Sequence, residues 1–143
     1  MPHTNPSDAE IKALLTAART IAVVGASSDA ARPSHGIFGL LLEAGYRVVP
    51  VNPMEKAVHG QTAYPRLADV PFAIDIVDVF RRPEHTPAIA DEAVAVGAKT
   101  LWLQSGIWNE EAAARAKAGG LTVVMDACIG VLLAVLDVPR RAP

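Results

Sequence analysis

Thr20-Ile21-Ala22-Val23-Val24 is an unbroken β-branched and apolar run that stops abruptly at Gly25-Ala26-Ser27-Ser28. Such a run, without polar alternation, reads as a strand buried on both faces, the habit of a parallel sheet. The glycine that closes it allows a tight turn and a close approach of backbone to an anion. A helix following such a turn would aim its free N–H groups and positive dipole end at that anion.

Working outward from this stretch, strands and helices alternate. Upstream, Ser7-Asp8-Ala9-Glu10 has the spacing of a capping box and predicts a helix to about Ala18. Downstream, Ser34 is a candidate cap for a helix over Ile37 to Ala44, closed by Gly45. Arg47-Val48-Val49-Pro50-Val51 reads as a second strand halted by Asn52-Pro53, and residues 54–71 as a long loop with one helical turn. Ile74 to Phe80 alternates apolar and acidic residues, as a strand with one less buried face would. Asp75 and Asp78 then fall on opposite faces and form no acid–base couple. Glu84 to Val96 reads as a helix, Thr100 to Leu103 as a fourth strand, Asn109 to Ala118 as a helix, and Leu121 to Met125 as a fifth strand.

This alternation predicts right-handed crossovers and an α/β fold: a Rossmann-like, doubly wound, parallel five-stranded sheet. A chain of 143 residues suits one domain. Its core spans about residues 20–129, with an N-terminal helix within 1–19 and an apolar C-terminal segment over 130–143.

The composition, 51% hydrophobic with mean hydropathy +0.27, is globular. A net charge of −2 and a pI of about 6.0 give no footprint for nucleic acid. Cys128 is the only cysteine, so no internal disulfide is expected. The N-terminus lacks the basic and apolar regions of a signal peptide, and the apolar stretch Ala127 to Leu136 is too short to span a bilayer. No membrane association and a cytoplasmic location are therefore expected.

In a doubly wound sheet the ligand site lies beyond the carboxyl ends of the strands. The residues to watch are Gly25-Ala26-Ser27-Ser28, Asn52-Pro53, Arg81-Arg82-Pro83, Gln104-Ser105-Gly106 and Asp126-Ala127-Cys128. The strict G-x-G-x-x-G pattern is not met, because Gly25 is followed by Ala26 and Ser27. Sites for NAD usually place an acid after the second strand, where this chain has Asn52. Lys56 and Arg32 offer charge for an additional phosphate, either the 2′-phosphate of NADP or the 3′-phosphate of coenzyme A (CoA), and solvated surface charges are the plain alternative.

Ile21 to Ser27, Val49 to Pro53, Val77 to Arg81, Trp102 to Gly106 and Val124 to Cys128 together resemble, in order and spacing, the small stand-alone CoA-binding proteins. That family is similar to the nucleotide-binding domain of the succinyl-CoA synthetase α subunit. The resemblance implies the same Rossmann-like fold and a bound CoA or acyl-CoA. It implies that Gly25, Ala26, Ser27 and Ser28 form the diphosphate turn, with Arg32 and Ser34 following it. Asn52, Pro53 and Lys56 would receive the adenosine end, Arg81, Arg82 and Pro83 would wall the adenine or pantetheine, and Gln104 and Gly106 would turn beside it. Two positions depart from the family: Ala127 stands where Arg is usual, and the C-terminal segment is apolar rather than charged. The second departure fits either a core helix or a contact with another copy or a partner subunit.

No catalytic set is legible. His3, His35, His59 and His85 are scattered, no metal ligand spacing exists, and His35 reads as a surface residue. Cys128 reads as a buried or inert thiol, because neighbouring Asp126 opposes its activation. Trp102 and Trp108 read as packing residues. Three readings stay open: a binding module without catalysis, a nicotinamide-dependent oxidoreductase, and a CoA-binding subunit of a larger ligase.

Overall fold

The computed structural model describes residues 2–141. Its elements are α1 (Asp8–Ala17), β1 (Thr20–Val24), α2 (Pro33–Glu43), β2 (Arg47–Val51), β3 (Ala57–Val58), β4 (Gln61–Thr62), β5 (Ile76–Val79), α3 (Thr86–Ala95), β6 (Thr100–Leu103), α4 (Glu110–Ala118), β7 (Thr122–Val124) and α5 (Ile129–Val135). Five strands form one parallel sheet in the order β2-β1-β5-β6-β7, and β3 pairs with β4 in a small antiparallel hairpin. The chain is a Rossmann-like α/β single domain.

Both sheet faces are covered, which explains the uninterrupted apolar run in β1. Ala22 and Val24 join Val77, Val79, Leu101 and Leu103 in the core beneath α3 and α4. Ile21 and Val23 point the other way, into a second core with Phe38, Trp102 and Ile129 under α1, α2 and α5. Strand order reverses between β1 and β5, so the chain leaves these neighbours toward opposite faces and a crevice opens at their carboxyl ends.

Several boundaries differ from the sequence expectation, each for a local reason. Helix α2 starts at Pro33, whose missing N–H costs nothing in a first turn. Ser34 is therefore not its cap but a buried residue of that turn. Strand β5 is shorter than expected and buried throughout. Asp75 precedes it and accepts the N–H groups of Arg19 and Thr20 at 2.8 and 3.0 Å, so it belongs to the strand entrance. Asp78 lies inside β5, fully buried, instead of on a wetter face. The loop after β2 contains the β3–β4 hairpin and a 3-10 turn at Leu67–Asp69. A second 3-10 turn, Pro83–His85, delays α3 to Thr86, and β7 spans only three residues. The apolar C-terminal segment forms α5, which buries Ile129 and Leu133 while Val131 and Val135 stay exposed. Ser7 caps α1 as expected, Glu10 N–H donating to Ser7 Oγ at 3.2 Å, while the Glu10 carboxylate accepts the Ser7 hydroxyl at 3.0 Å instead of its N–H. Among the described residues no helix is long and apolar enough to cross a membrane.

Both sheet edges carry additional chain. Tyr64 runs beside β2, donating its N–H to Pro50 and accepting the N–H of Asn52. Beyond β7, the Asn5 carboxamide accepts the N–H of Met125 at 2.9 Å and donates to its carbonyl at 2.8 Å.

Neither carboxyl oxygen of Asp78 has a hydrogen-bond partner, and burial pushes this acid well above the ordinary carboxylate value of 3.8. Native Asp78 keeps its proton where the unfolded chain has lost it, so its contribution to stability declines as pH rises above 3.8. Asp78→Asn should remove this term. Urea unfolding of both chains across pH should show wild type losing stability relative to the variant, with a limiting slope of about 1.4 kcal/mol per pH unit. Parallel profiles would contradict the assignment.

Candidate functional site

The site begins where β1 ends. Gly25 adopts φ +88°, and its N–H donates to Val51 O at 2.9 Å across to β2. A Cβ at this position would lie 2.6 Å from the Phe80 carbonyl oxygen, at the end of β5. The residue is glycine for two reasons, backbone conformation and contact distance.

Side chains then lace the turn together. Asn52 Nδ2 donates to Ala26 O at 2.9 Å, while Asn52 Oδ1 accepts the Met54 N–H at 2.9 Å. Both functional ends of this carboxamide are thus used within the protein. Ser27 Oγ accepts the Asp29 N–H at 3.0 Å, and Ser27 O lies 3.1 Å from His35 Nδ1, which must carry the proton. His35 is accordingly a half-buried brace for the turn, not the surface residue expected. His59 in turn reaches His35 O through Nε2 at 2.8 Å and stacks on Phe38 at 5.5 Å between ring centres. Ser28 donates both its N–H and its hydroxyl to Glu55 Oε2, at 2.9 and 3.1 Å. Those two bonds, the backbone one foremost, hold the Glu55 carboxyl below its ordinary range.

Beside the turn lies a cavity of about 780 Å³. Gly25, Arg32, Ser34, Arg81, Arg82 and Gln104 line it, as do Phe80, Gly36, Ile37, Leu40, Ser105, Ile107 and Cys128. A second lobe of about 440 Å³ shares Gly25, Arg32, Phe80, Arg81 and Arg82 and adds Ser27, Asn52, Pro53 and Met54. One lobe is therefore walled largely by apolar side chains of α2 and the loop after β6. The other is framed by the turn and the end of β2, and three arginines stand where they meet.

Ser34 and Gln104 are only 4% and 5% exposed, yet both line the larger lobe. Gln104 Oε1 accepts the Ile129 N–H at 3.1 Å. Its amide nitrogen and the Ser34 hydroxyl have no protein partner among the described residues. Both groups border the cavity and are placed to meet a ligand there.

Most of the residues picked from sequence converge here, and five do not line either lobe. Ala26 is fully buried and contributes its carbonyl to the turn's internal bonding. Ser28 is bound to Glu55. Lys56 is exposed at the foot of the hairpin. Pro83 O accepts Thr86 Oγ1 and Asn109 Nδ2. Gly106 donates its N–H to Asp126 Oδ1 at 2.7 Å, tying the loops after β6 and β7 together. Sequence reading missed the apolar wall, whose one signal is the spacing of Ile37 and Leu40 on α2. Cys128, read from sequence as a buried or inert thiol, is half-buried and lines the cavity. Trp102 is a core residue, and the indole of Trp108 donates to Glu110, outside the cleft. Among the described residues no group of three or more His, Cys, Asp or Glu is placed to hold a metal ion.

Fold and cleft together define a Rossmann-like α/β domain whose largest described cleft lies at the topological switch point. Residues 19–134 match the CoA binding domain, and the chain belongs to that family. It is 44% identical to the uncharacterized protein YneT of Bacillus subtilis, over 92% of this chain and 97% of that one. It superposes on a hypothetical protein from Pyrococcus horikoshii with a TM-score of 0.89, at 36% identity, covering 95% of this chain and 99% of that chain. The same domain occurs in a dinucleotide-forming acetyl-coenzyme A synthetase of Ca. Korarchaeum cryptofilum. There the TM-score is 0.71 at 28% identity, over 78% of this chain and 26% of the synthetase.

Gly25→Ala should destabilise the protein by about 1–3 kcal/mol, from the left-handed conformation and the Phe80 clash. Gly36→Ala, where an added Cβ meets nothing within 4 Å, should stabilise α2 by about 0.5–1 kcal/mol. Denaturant unfolding of the two variants beside wild type checks both signs.

Proposed function

We propose that the cleft binds CoA or an acyl-CoA, in the cytoplasm, as a binding module without a reaction of its own. The carrying observation is one cavity lined by Gly25 of the turn, by three arginines, by the apolar Ile37, Leu40 and Ile107, and by Cys128. A ligand that fills it needs an anionic end, a long apolar body and a few polar groups along that body. CoA has this sequence of parts. Its phosphates suit Arg32, Arg81 and Arg82, and its pantetheine arm carries amides for Ser34 and Gln104 beside methylenes for Ile37 and Leu40. Family membership supports the same reading.

The turn is assigned to the diphosphate through Gly25, Ala26 and Ser27, with Ser28 reached only when Glu55 releases it. Asn52 and Pro53 frame the adenosine end. Lys56 is a second cation at the outer rim, and Pro83 and Gly106 shape neighbouring loops. The nicotinamide alternative is weakened by Asn52, because its carboxamide is already engaged by Ala26 and Met54 and offers no ribose clamp. A role as the CoA-binding subunit of a larger ligase is favoured by the likeness to the Korarchaeum synthetase.

Calorimetric titration with CoA, dephospho-CoA, NAD and NADP tests the reading. CoA should bind best, and removal of its 3′-phosphate should cost about 1–3 kcal/mol, the range of charge-assisted hydrogen bonds. Tight binding of NAD without binding of CoA would end the proposal. Ser27→Trp should abolish CoA binding while leaving the circular dichroism spectrum unchanged. Glu55→Gln should tighten binding, since it removes a negative charge held at the diphosphate turn; an unchanged or weaker affinity would place the phosphates elsewhere.

A further inference from the structure

The larger lobe is lined in part by a cysteine, Cys128, whose flanking backbone the protein holds firmly. Backbone on both sides of Cys128 is fixed: Trp102 Nε1 donates to Ala127 O at 2.8 Å, and the Ile129 N–H donates to Gln104 Oε1 at 3.1 Å. Asp126, two residues before Cys128, adopts φ +53° and accepts the Gly106 N–H at 2.7 Å. Cys128 is half-buried, and it lines the same cavity as Gly25, Ser34 and Gln104. Ser34 and Gln104, each more than nine-tenths buried, are polar residues that line that cavity, and the Ser34 hydroxyl has no protein partner among the described residues. A polar side chain so placed marks the compartment around Cys128 as one fitted to a ligand, independently of the cysteine itself.

We propose that Cys128 is a thiol–disulfide exchange site for CoA, accepting one CoA unit from CoA disulfide, the oxidised dimer of CoA. This rests on the CoA reading of the cleft, which brings the thiol end of the ligand toward the inner lobe. The Cys128 thiolate attacks one sulfur of the disulfide. A bond forms between Cys128 Sγ and that sulfur, and the original sulfur–sulfur bond breaks. The second CoA departs as a thiolate and takes up from solvent the proton that Cys128 gave up. No external oxidant is required, because one disulfide is exchanged for another. Attack by a free thiol on the mixed disulfide reverses the step.

The native chain, incubated with CoA disulfide and measured by intact-protein mass spectrometry, should gain one CoA less two hydrogens. The adduct should vanish on reduction and be absent from Cys128→Ser. It should form about tenfold faster or more than the glutathione adduct from glutathione disulfide at equal concentration, a discrimination of about 1.4 kcal/mol in the barrier. It should also form faster on the native chain than on chain unfolded in urea. Equal rates with the two disulfides, or with folded and unfolded chain, would overturn the proposal by showing an unselective thiol. Absence of an adduct on wild-type protein that binds reduced CoA by calorimetry would overturn it while the CoA reading stands. Failure of reduced CoA to bind would remove both.

Discussion

The contact between Gly25 and the Phe80 carbonyl is the constraint on which the cleft depends. Adjacent strands normally diverge where their connections leave on opposite faces, and here β1 and β5 do so at the switch point. Yet no room exists at Gly25 for even one methyl group on that side. The first residue of the turn is therefore pressed against the exit of β5, and the loop carrying Arg81 and Arg82 starts at the same place. Both lobes of the cleft share these residues. The bracing of the turn by Asn52, His35 and Glu55 builds on this one close approach.

Much of the architecture was legible because it depends on local apolar patterning. The run Thr20 to Val24 could only be a doubly buried strand, and the strand–helix alternation led directly to a parallel sheet. What stayed hidden depends on partners distant in sequence. Asp78 looked like a residue facing water because an acid in an alternating segment usually does. Its burial follows from α1, α2 and α5 covering that face together. Ser34 looked like a cap, but Pro33 already satisfied the helix start. The β3–β4 hairpin is too short to leave a periodic signal.

The site was legible in the same proportion. Positions following strands gather at one end of the sheet, since topology alone sends them there. The division of labour among them was not, because a hydrogen bond that satisfies Asn52 or Ser28 within the protein leaves no trace in composition. Leu40 and Ile107 gave no chemical signal of a site either, being apolar residues in apolar surroundings. The Asp126 carboxylate accepts the Gly106 N–H from another loop, a pairing that no local pattern signals.

The two borders of the sheet, described above only as places where extra chain lies alongside, bear on how this molecule meets others. A bare outer strand is a template on which a further strand from any source can add. At β2 that template is interrupted by Pro50 and occupied by Tyr64. At β7 the Asn5 carboxamide imitates one peptide unit and occupies both Met125 groups. With these backbone groups committed, helices and loops are the surfaces better suited to joining a larger body. An assembly of that kind leaves the sheet, and with it the shape of the cleft, undisturbed.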